Sequence, residues 1–199
     1  MNKKQIASGV SALLNAPLIT FFTFIPVIMV SSISNFINII MITSFFGCIF
    51  PLVGVLIMLK KKIIKDFYAT DRETRIKPFI WSIISYLLGL ICLYNYKAPL
   101  VVTALMACYV VNGIILLVIT LKWKISIHAS GITSPVTALI YILGRSMLPF
   151  LLLILPVAWA RLELNAHNKL QITAGAVISS ILTWIQMFLY LNQHLLVYA

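Results

Sequence analysis

The residue types best suited to chemistry lie in one short polar interval between two apolar runs, from Trp159 to Gln171. This interval contains an arginine, Arg161, and a histidine, His167. A guanidinium group matches two phosphate oxygens at once, and a neutral imidazole nitrogen can attack phosphorus or carry a proton. A helix that begins near His167 would point its positive dipole end at the same anion and would place Gln171 on the same face. The interval therefore predicts an anion site in which the Gln171 amide oxygen accepts from one ring nitrogen of His167 and leaves the other free.

Two further polar intervals, residues 60–78 and 122–130, carry residue types of the same kind. Their candidate phosphate ligands and proton donor are Arg72, Arg75, Lys77, Ser126 and His128. Considered one at a time, cations in such loops contact lipid headgroups or set membrane orientation more often than they bind a substrate. The hypothesis of a site depends on their occurrence together with two histidines.

The spacing of Arg161 and His167 resembles the third motif of the type 2 phosphatidic acid phosphatase superfamily, Ser-Arg-x5-His-x3-Asp. Ala160 replaces the serine of that motif, and Gln171 replaces the aspartate that orients the nucleophile. A glutamine can hold the ring tautomer, but it cannot stabilise an imidazolium ion by charge.

Two other motifs of this superfamily precede the third in the expected order. Residues 126–128, Ser-Ile-His, are similar to the second motif, Pro-Ser-Gly-His. Lys65 and Arg72 have the spacing of the first motif, Lys-x6-Arg-Pro, with Glu73 where the motif has proline. The resemblance extends over residues 65–175 approximately.

The resemblance implies a metal-independent phosphatase, with no cofactor, that hydrolyses a lipid phosphate or an isoprenoid diphosphate through a phosphohistidine. His167 would be the nucleophile, oriented by Gln171, and His128 would protonate the leaving oxygen. The groups that would hold the phosphoryl oxygens are Arg161, Arg72 and Arg75, with Lys77 and Ser126 beside them. Because of Gln171, a second interpretation stays open: a non-catalytic protein that binds or translocates a lipid phosphate. Phosphotransfer between lipids would use the same residues as hydrolysis, so the sequence does not separate the two.

The elements that must position these residues are membrane helices. Hydrophobic residues make up 62% of the 199 positions and charged residues only 10%, which excludes a soluble domain. The apolar runs lack the alternation of an outer-membrane barrel. We therefore predict an all-α, polytopic membrane helical bundle, phosphatidic acid phosphatase type 2-like by the resemblance, that forms one integral membrane domain over residues 1–199. The net charge of +11 lies in short loops, so no nucleic-acid partner is expected.

Six to seven membrane spans are predicted. Five of them cover approximately residues 17–30, 37–59, 78–94, 100–121 and 170–191. The apolar region 129–160 would measure about 45 Å as one helix, against a hydrocarbon core of about 30 Å. It is either one tilted span with Arg145 buried inside it or a hairpin that turns at residues 144–146. The hairpin is preferred because it removes Arg145 from the bilayer centre.

With the hairpin, residues 60–78, 122–130 and 160–169 emerge on the side of the N-terminus. That side carries every lysine and arginine except Lys97 and Arg145. By the positive-inside rule, the site then lies on the cytoplasmic face of the cell (inner) membrane. The predicted partners are membrane lipids and a lipid phosphate substrate.

Overall fold

The structure, a computed structural model, describes residues 2–31, 35–64 and 74–192, and within these ranges it is helical without a strand. The α-helices are α1 (Lys3–Leu13), α2 (Ala16–Val30), α3 (Phe36–Ser44), α4 (Phe50–Lys60), α5 (Ile76–Asn95), α6 (Leu100–Lys122), α7 (Ile127–Leu143), α8 (Ile154–Glu163) and α9 (Lys169–Leu191). A π-helical turn, Phe45–Ile49, joins α3 to α4, and a 3₁₀ segment, Arg145–Leu153, precedes α8. The predicted all-α class is confirmed.

Five helical stretches are long and apolar enough to cross a membrane, and a sixth is counted if α1 and α2 form one bent span. The five are Phe36–Lys60, Ile76–Asn95, Leu100–Lys122, Arg145–Glu163 and Lys169–Leu191. They coincide with apolar runs that the sequence assigned to spans. Helix α7 is also apolar, but it is shorter than these five.

Asn15 marks the break between α1 and α2, whose axes differ by 42°. Its side-chain oxygen accepts from the Leu18 amide of α2 at 2.9 Å, and its side-chain nitrogen donates to the Ala12 carbonyl of α1 at 2.7 Å. One asparagine thus caps the start of α2 and holds the end of α1. Pro17, in the first turn of α2, needs no backbone partner there.

The π-helical turn between α3 and α4 lies just before Pro51. A proline inside a helix has no N–H, and its ring crowds the carbonyl one turn earlier, so the turn widens. Side chains of α5 satisfy the carbonyls near this turn. Ser85 Oγ donates to the Phe46 carbonyl at 2.6 Å, and Trp81 Nε1 donates to the Phe50 carbonyl at 2.9 Å. These bonds fix α4 against α5.

The hairpin predicted at residues 144–146 is present as a break after α7. Gly144 has φ of +85°, a left-handed conformation that ends the helix, and the 3₁₀ segment then packs back against α7. Arg145 is exposed at this turn.

Helix α7 lies at the centre of the bundle and packs against α2, α6 and α9. Small residues such as Ala129 and Ser130 face these neighbours, which allows close helix contact in a membrane. A buried polar cluster links three helices: the Asn112 amide nitrogen of α6 donates to Ser134 Oγ of α7 at 3.0 Å and to Thr183 Oγ1 of α9 at 2.8 Å. These bonds fix the mutual position of the helices that carry the site.

Candidate functional site

The three polar intervals meet at one end of the bundle, as the sequence predicted. The meeting point is the Ile125 carbonyl, in the connection between α6 and α7. His167 Nε2 lies 3.2 Å from this oxygen and 3.4 Å from Arg75 Nη1. Arg75 Nη1 in turn donates to the Ile125 carbonyl at 3.2 Å. Residues far apart in the chain therefore form one buried group.

The connection between α8 and α9 holds His167 in place from both sides. The amides of Ala166 and His167 approach the Arg161 carbonyl at 3.0 and 3.4 Å, which closes the end of α8 around Asn165, a residue with φ of +50°. Asn168 then caps α9. His167 thus occupies the last position before the cap of α9, with its ring turned inward and 7% of its surface exposed.

Gln171 does not orient His167, and the predicted hydrogen bond between them is corrected. Its side-chain oxygen accepts from the Asn168 amide at 3.2 Å, and Asn168 Oδ1 accepts from the Gln171 amide at 2.9 Å. The two residues form a capping box that satisfies the first amides of α9. The spacing Asn-x-x-Gln was visible in the sequence and is typical of such a cap.

Ser126 has a role at a helix start, and it does not line the cavity described below. Its hydroxyl accepts from the Ala129 amide at 3.3 Å, and its own amide donates to the Gln171 carbonyl at 3.1 Å. Helix α9 approaches this point closely because residue 175 is glycine: a Cβ there would lie 2.5 Å from the Ser126 carbonyl oxygen. This close approach brings the start of α7 against the start of α9.

A cavity of about 180 Å³ begins at this end of the bundle, and Arg75, His128 and His167 line it. We call these three residues the basic end. The other walls come mainly from apolar residues of α2, α4, α5, α6 and α7. Along α7 the lining extends from His128 to Pro135, and along α5 it extends from Arg75 to Tyr86. At 1.5 Å per helical residue, the cavity reaches about 10–16 Å into the bundle.

The His167 ring is neutral at pH 7. Burial, followed by the positive charges of Arg161, Arg75 and Lys124, lowers its pKa to about 3, and its contact with the Ile125 carbonyl opposes this shift. Nδ1 of His167 is buried without a hydrogen-bond partner in the part of the chain that the structure describes. A proton on Nε2 can be donated to the Ile125 carbonyl, which leaves the lone pair on Nδ1.

Arg161 lies beside the basic end and is almost completely buried, with 1% of its surface exposed. Its Nη1 donates to the hydroxyl of Ser11, on α1, at 3.5 Å. Burial, followed by the charge of Arg161, lowers the pKa of His128 well below its usual value, and the backbone of the same Ser11 opposes this shift. Arg161 is not among the residues that line the cavity, so its positive charge acts on the site from behind.

The remaining predicted residues fall outside this group. Lys77 is exposed and does not line the cavity. Arg72 and Lys65 lie outside the described residues.

Three residues that the site prediction omitted contribute to the site: Ile125 through its carbonyl, Ser11 and Lys124. The position of Lys124 in a histidine-containing interval was a usable signal. The sequence contained no signal that pointed to Ser11, because this residue lies 150 residues from Arg161 in the chain. Among the described ranges, no group of three or more His, Cys, Asp or Glu side chains is arranged to hold a metal ion.

Comparison of the chain with protein-family models, with curated proteins and with solved structures gives no match. The functional assignment therefore depends on the residues and their geometry.

Proposed function

We propose that the protein is a membrane-embedded phosphatase that removes phosphate from a lipid phosphate or an isoprenoid diphosphate. The observation that carries this proposal is the cavity, whose basic end continues into a largely apolar interior. A phosphate group suits the basic end, and a hydrocarbon chain suits the apolar walls. A soluble phosphate ester has no apolar group that could contact those walls.

The reaction has two steps. A ring nitrogen of His167 attacks phosphorus, and the nitrogen–phosphorus bond forms as the bond from phosphorus to the lipid oxygen breaks. Burial and the nearby cations lower the pKa of His128, so its ring takes up a proton only when the anionic phosphate binds beside it, and it then gives that proton to the lipid oxygen. A water molecule then attacks the phosphohistidine and loses a proton to His128. Phosphate leaves, and both histidines return to their starting states.

The surrounding charges suit this chemistry. The lowered pKa of His167 keeps its ring unprotonated, and therefore nucleophilic, at neutral pH. Arg75 contacts the ring directly, and Arg161 and Lys124 add positive charge nearby. These cations stabilise the negative charge that develops on the phosphoryl oxygens, and they do so in a buried site where water screens little.

The proposal includes a location in the cell membrane with the site on the cytoplasmic face. The distribution of lysine and arginine supports this orientation. Lys60, Lys61 and Lys62, for example, lie at the end of α4 next to the site. A cysteine introduced at Lys61 should react with a membrane-impermeant thiol reagent only after the cells are opened. Labelling of intact cells would contradict this orientation.

A second function, binding or translocation of a lipid phosphate without hydrolysis, is favoured by one specific observation. The Gln171 side chain is engaged in the cap of α9, and His167 Nδ1 has no orienting partner within the described residues. A catalytic histidine whose tautomer is not fixed by a carboxylate supports a much lower rate, by about 10⁴ in the serine-protease case, where the histidine is the general base and its orienting aspartate becomes asparagine. Such a site can still hold a phosphate.

Phosphate release by purified protein in detergent separates the two functions. The substrates are a panel of isoprenoid diphosphates, isoprenoid monophosphates and phosphatidic acid. The phosphatase proposal expects release that His167→Ala abolishes and a phosphohistidine that can be trapped on rapid quenching. Absence of release, with binding that survives His167→Ala and weakens in Arg161→Ala, would support the second function. Transfer of the phosphoryl group to an added lipid acceptor would show phosphotransfer.

A further inference from the structure

The N-terminal helix α1 is part of the site. It packs along α8, the helix that ends next to His167. Ala7 and Ser11 lie one turn apart on its buried face, and neither has any exposed surface. Ser11 therefore does not face solvent or lipid, and its hydroxyl is buried against the site.

Ser11 lies against two members of the site. Its hydroxyl accepts from Arg161 Nη1 at 3.5 Å, and its backbone is close enough to the His128 ring to oppose the lowering of the His128 pKa. A guanidinium that is almost fully buried depends on such acceptors for a fixed orientation. Ala160, which precedes Arg161 in α8, has no side-chain oxygen that could accept a hydrogen bond from the guanidinium.

We propose that Ser11 is a positioning residue, through which α1 sets the orientation of the Arg161 guanidinium relative to His128. This inference rests on the proposed phosphate site. Ser11 does not line the cavity, so it acts through Arg161 and does not touch the substrate.

The structure allows a clean test, because alanine has a higher helix propensity than serine and is smaller. Ser11→Ala should therefore leave α1 folded, remove the hydroxyl and keep the backbone of residue 11 beside His128. Ser11→Thr keeps the hydroxyl. Gly9→Ala is the matched control on the same helix, because a Cβ at residue 9 would meet no atom within 4 Å.

The experiment measures kcat, KM and the pH profile of phosphate release for these variants and for Arg161→Lys with and without Ser11→Ala. Loss of a buried hydrogen bond to a charged group should lower kcat about tenfold in Ser11→Ala, with KM changed less than about threefold. We expect recovery in Ser11→Thr and wild-type values in Gly9→Ala. The lower apparent pKa of the kcat profile should stay unchanged, because the substitution leaves the backbone of residue 11 beside His128 as it is.

The double variant should be no slower than Arg161→Lys alone, because both changes disturb one interaction. Wild-type kcat in Ser11→Ala, or additive effects in the double variant, would overturn the inference while leaving the phosphatase proposal intact.

Failure of the phosphatase proposal is distinguishable. If wild-type protein releases no phosphate, the same variants are compared in detergent for binding of a labelled isoprenoid monophosphate. Ser11→Ala should then bind about tenfold more weakly than wild type and Gly9→Ala. Equal binding by all three would overturn the role of Ser11, and absence of binding by wild type would overturn both proposals.

Discussion

Gly175 is the position at which a single methyl group should damage the site most. A Cβ at residue 175 would lie 2.5 Å from the Ser126 carbonyl oxygen and 3.3 Å from its carbonyl carbon. Both are backbone atoms, so no side chain can rotate away. Since carbon and oxygen normally stay about 3.4 Å apart or more, α9 and the start of α7 must separate by roughly 1 Å.

The magnitude follows from two opposing effects. Overpacking of this kind costs about 1–3 kcal/mol, and contact with backbone places Gly175→Ala at the upper end. Replacement of a helical glycine by alanine increases the free energy of unfolding by about 1 kcal/mol, because alanine has the higher helix propensity. The net loss is therefore about 2 kcal/mol, or about 4–8 °C in the unfolding midpoint for a chain of this size.

The functional effect should exceed the loss of stability. The displaced segment carries the Ile125 carbonyl, which contacts both His167 and Arg75. A displacement of about 1 Å at reacting groups can reduce a rate about 100-fold. Phosphate release by Gly175→Ala should thus fall about 100-fold at a temperature where the variant is still folded.

The assay is thermal unfolding in detergent, together with phosphate release, for Gly175→Ala and Gly9→Ala. Gly9→Ala adds the same methyl group to a helix in open space, so it should be as stable as wild type or slightly more stable. If Gly175→Ala matched Gly9→Ala in both measurements, the close contact between α9 and Ser126 would be refuted.

Three further predictions test the site. Lowering the pH from 7 to 3 should destabilise the wild type by roughly 3–5 kcal/mol more than His167→Gln, because the unfolded histidine takes up a proton near pH 6.5 and the folded one only near pH 3. Unfolding midpoints of both proteins across this range measure the difference, and parallel curves would exclude a buried neutral ring. Arg75→Lys should lower phosphate release about 10–100-fold, because an ammonium group cannot bind two phosphoryl oxygens with the planar geometry of a guanidinium that already contacts the Ile125 carbonyl and His167 through Nη1. Wild-type rates in this variant would remove Arg75 from the site. Gln171→Asp should raise phosphate release less than about threefold, since residue 171 belongs to the cap of α9. A large increase, measured at saturating substrate, would show that residue 171 can reach His167.

The fold was predictable where a local signal determines the backbone. The break at Gly144 is an example, because an arginine beside a glycine inside an overlong apolar region disfavours one continuous span. The convergence of three polar intervals was also predictable, since it needs only the order of spans and the side on which each loop emerges. Both inferences use chain connectivity and the cost of burying charge, and neither requires side-chain packing.

Contacts between distant elements were not predictable in this way. Ser11 meets Arg161 only because α1 folds along α8, and a serine in a mildly apolar helix carries no sign of that contact. The π-helical turn before Pro51 is accompanied by hydrogen bonds from Ser85 and Trp81 of another helix to the Phe46 and Phe50 carbonyls. Tertiary packing selects these arrangements among several that the local sequence permits.

Gln171 shows how a motif and a local rule can compete for one residue. The spacing from His167 suggested an orienting partner, whereas the spacing from Asn168 indicated a capping box. The cap prevails because α9 begins at the loop, where its first amides need acceptors, and because the glutamine already lies one turn from Asn168. His167 is then oriented through Nε2, which donates to the Ile125 carbonyl when it carries the ring proton and lies 3.4 Å from Arg75 Nη1. If the site hydrolyses its ligand, orientation must come from this backbone carbonyl, and trapping of the phosphoryl group on Nδ1 rather than Nε2 of His167 would establish it. A phosphoryl group on Nε2 would require the ring to leave the carbonyl, which would refute this arrangement.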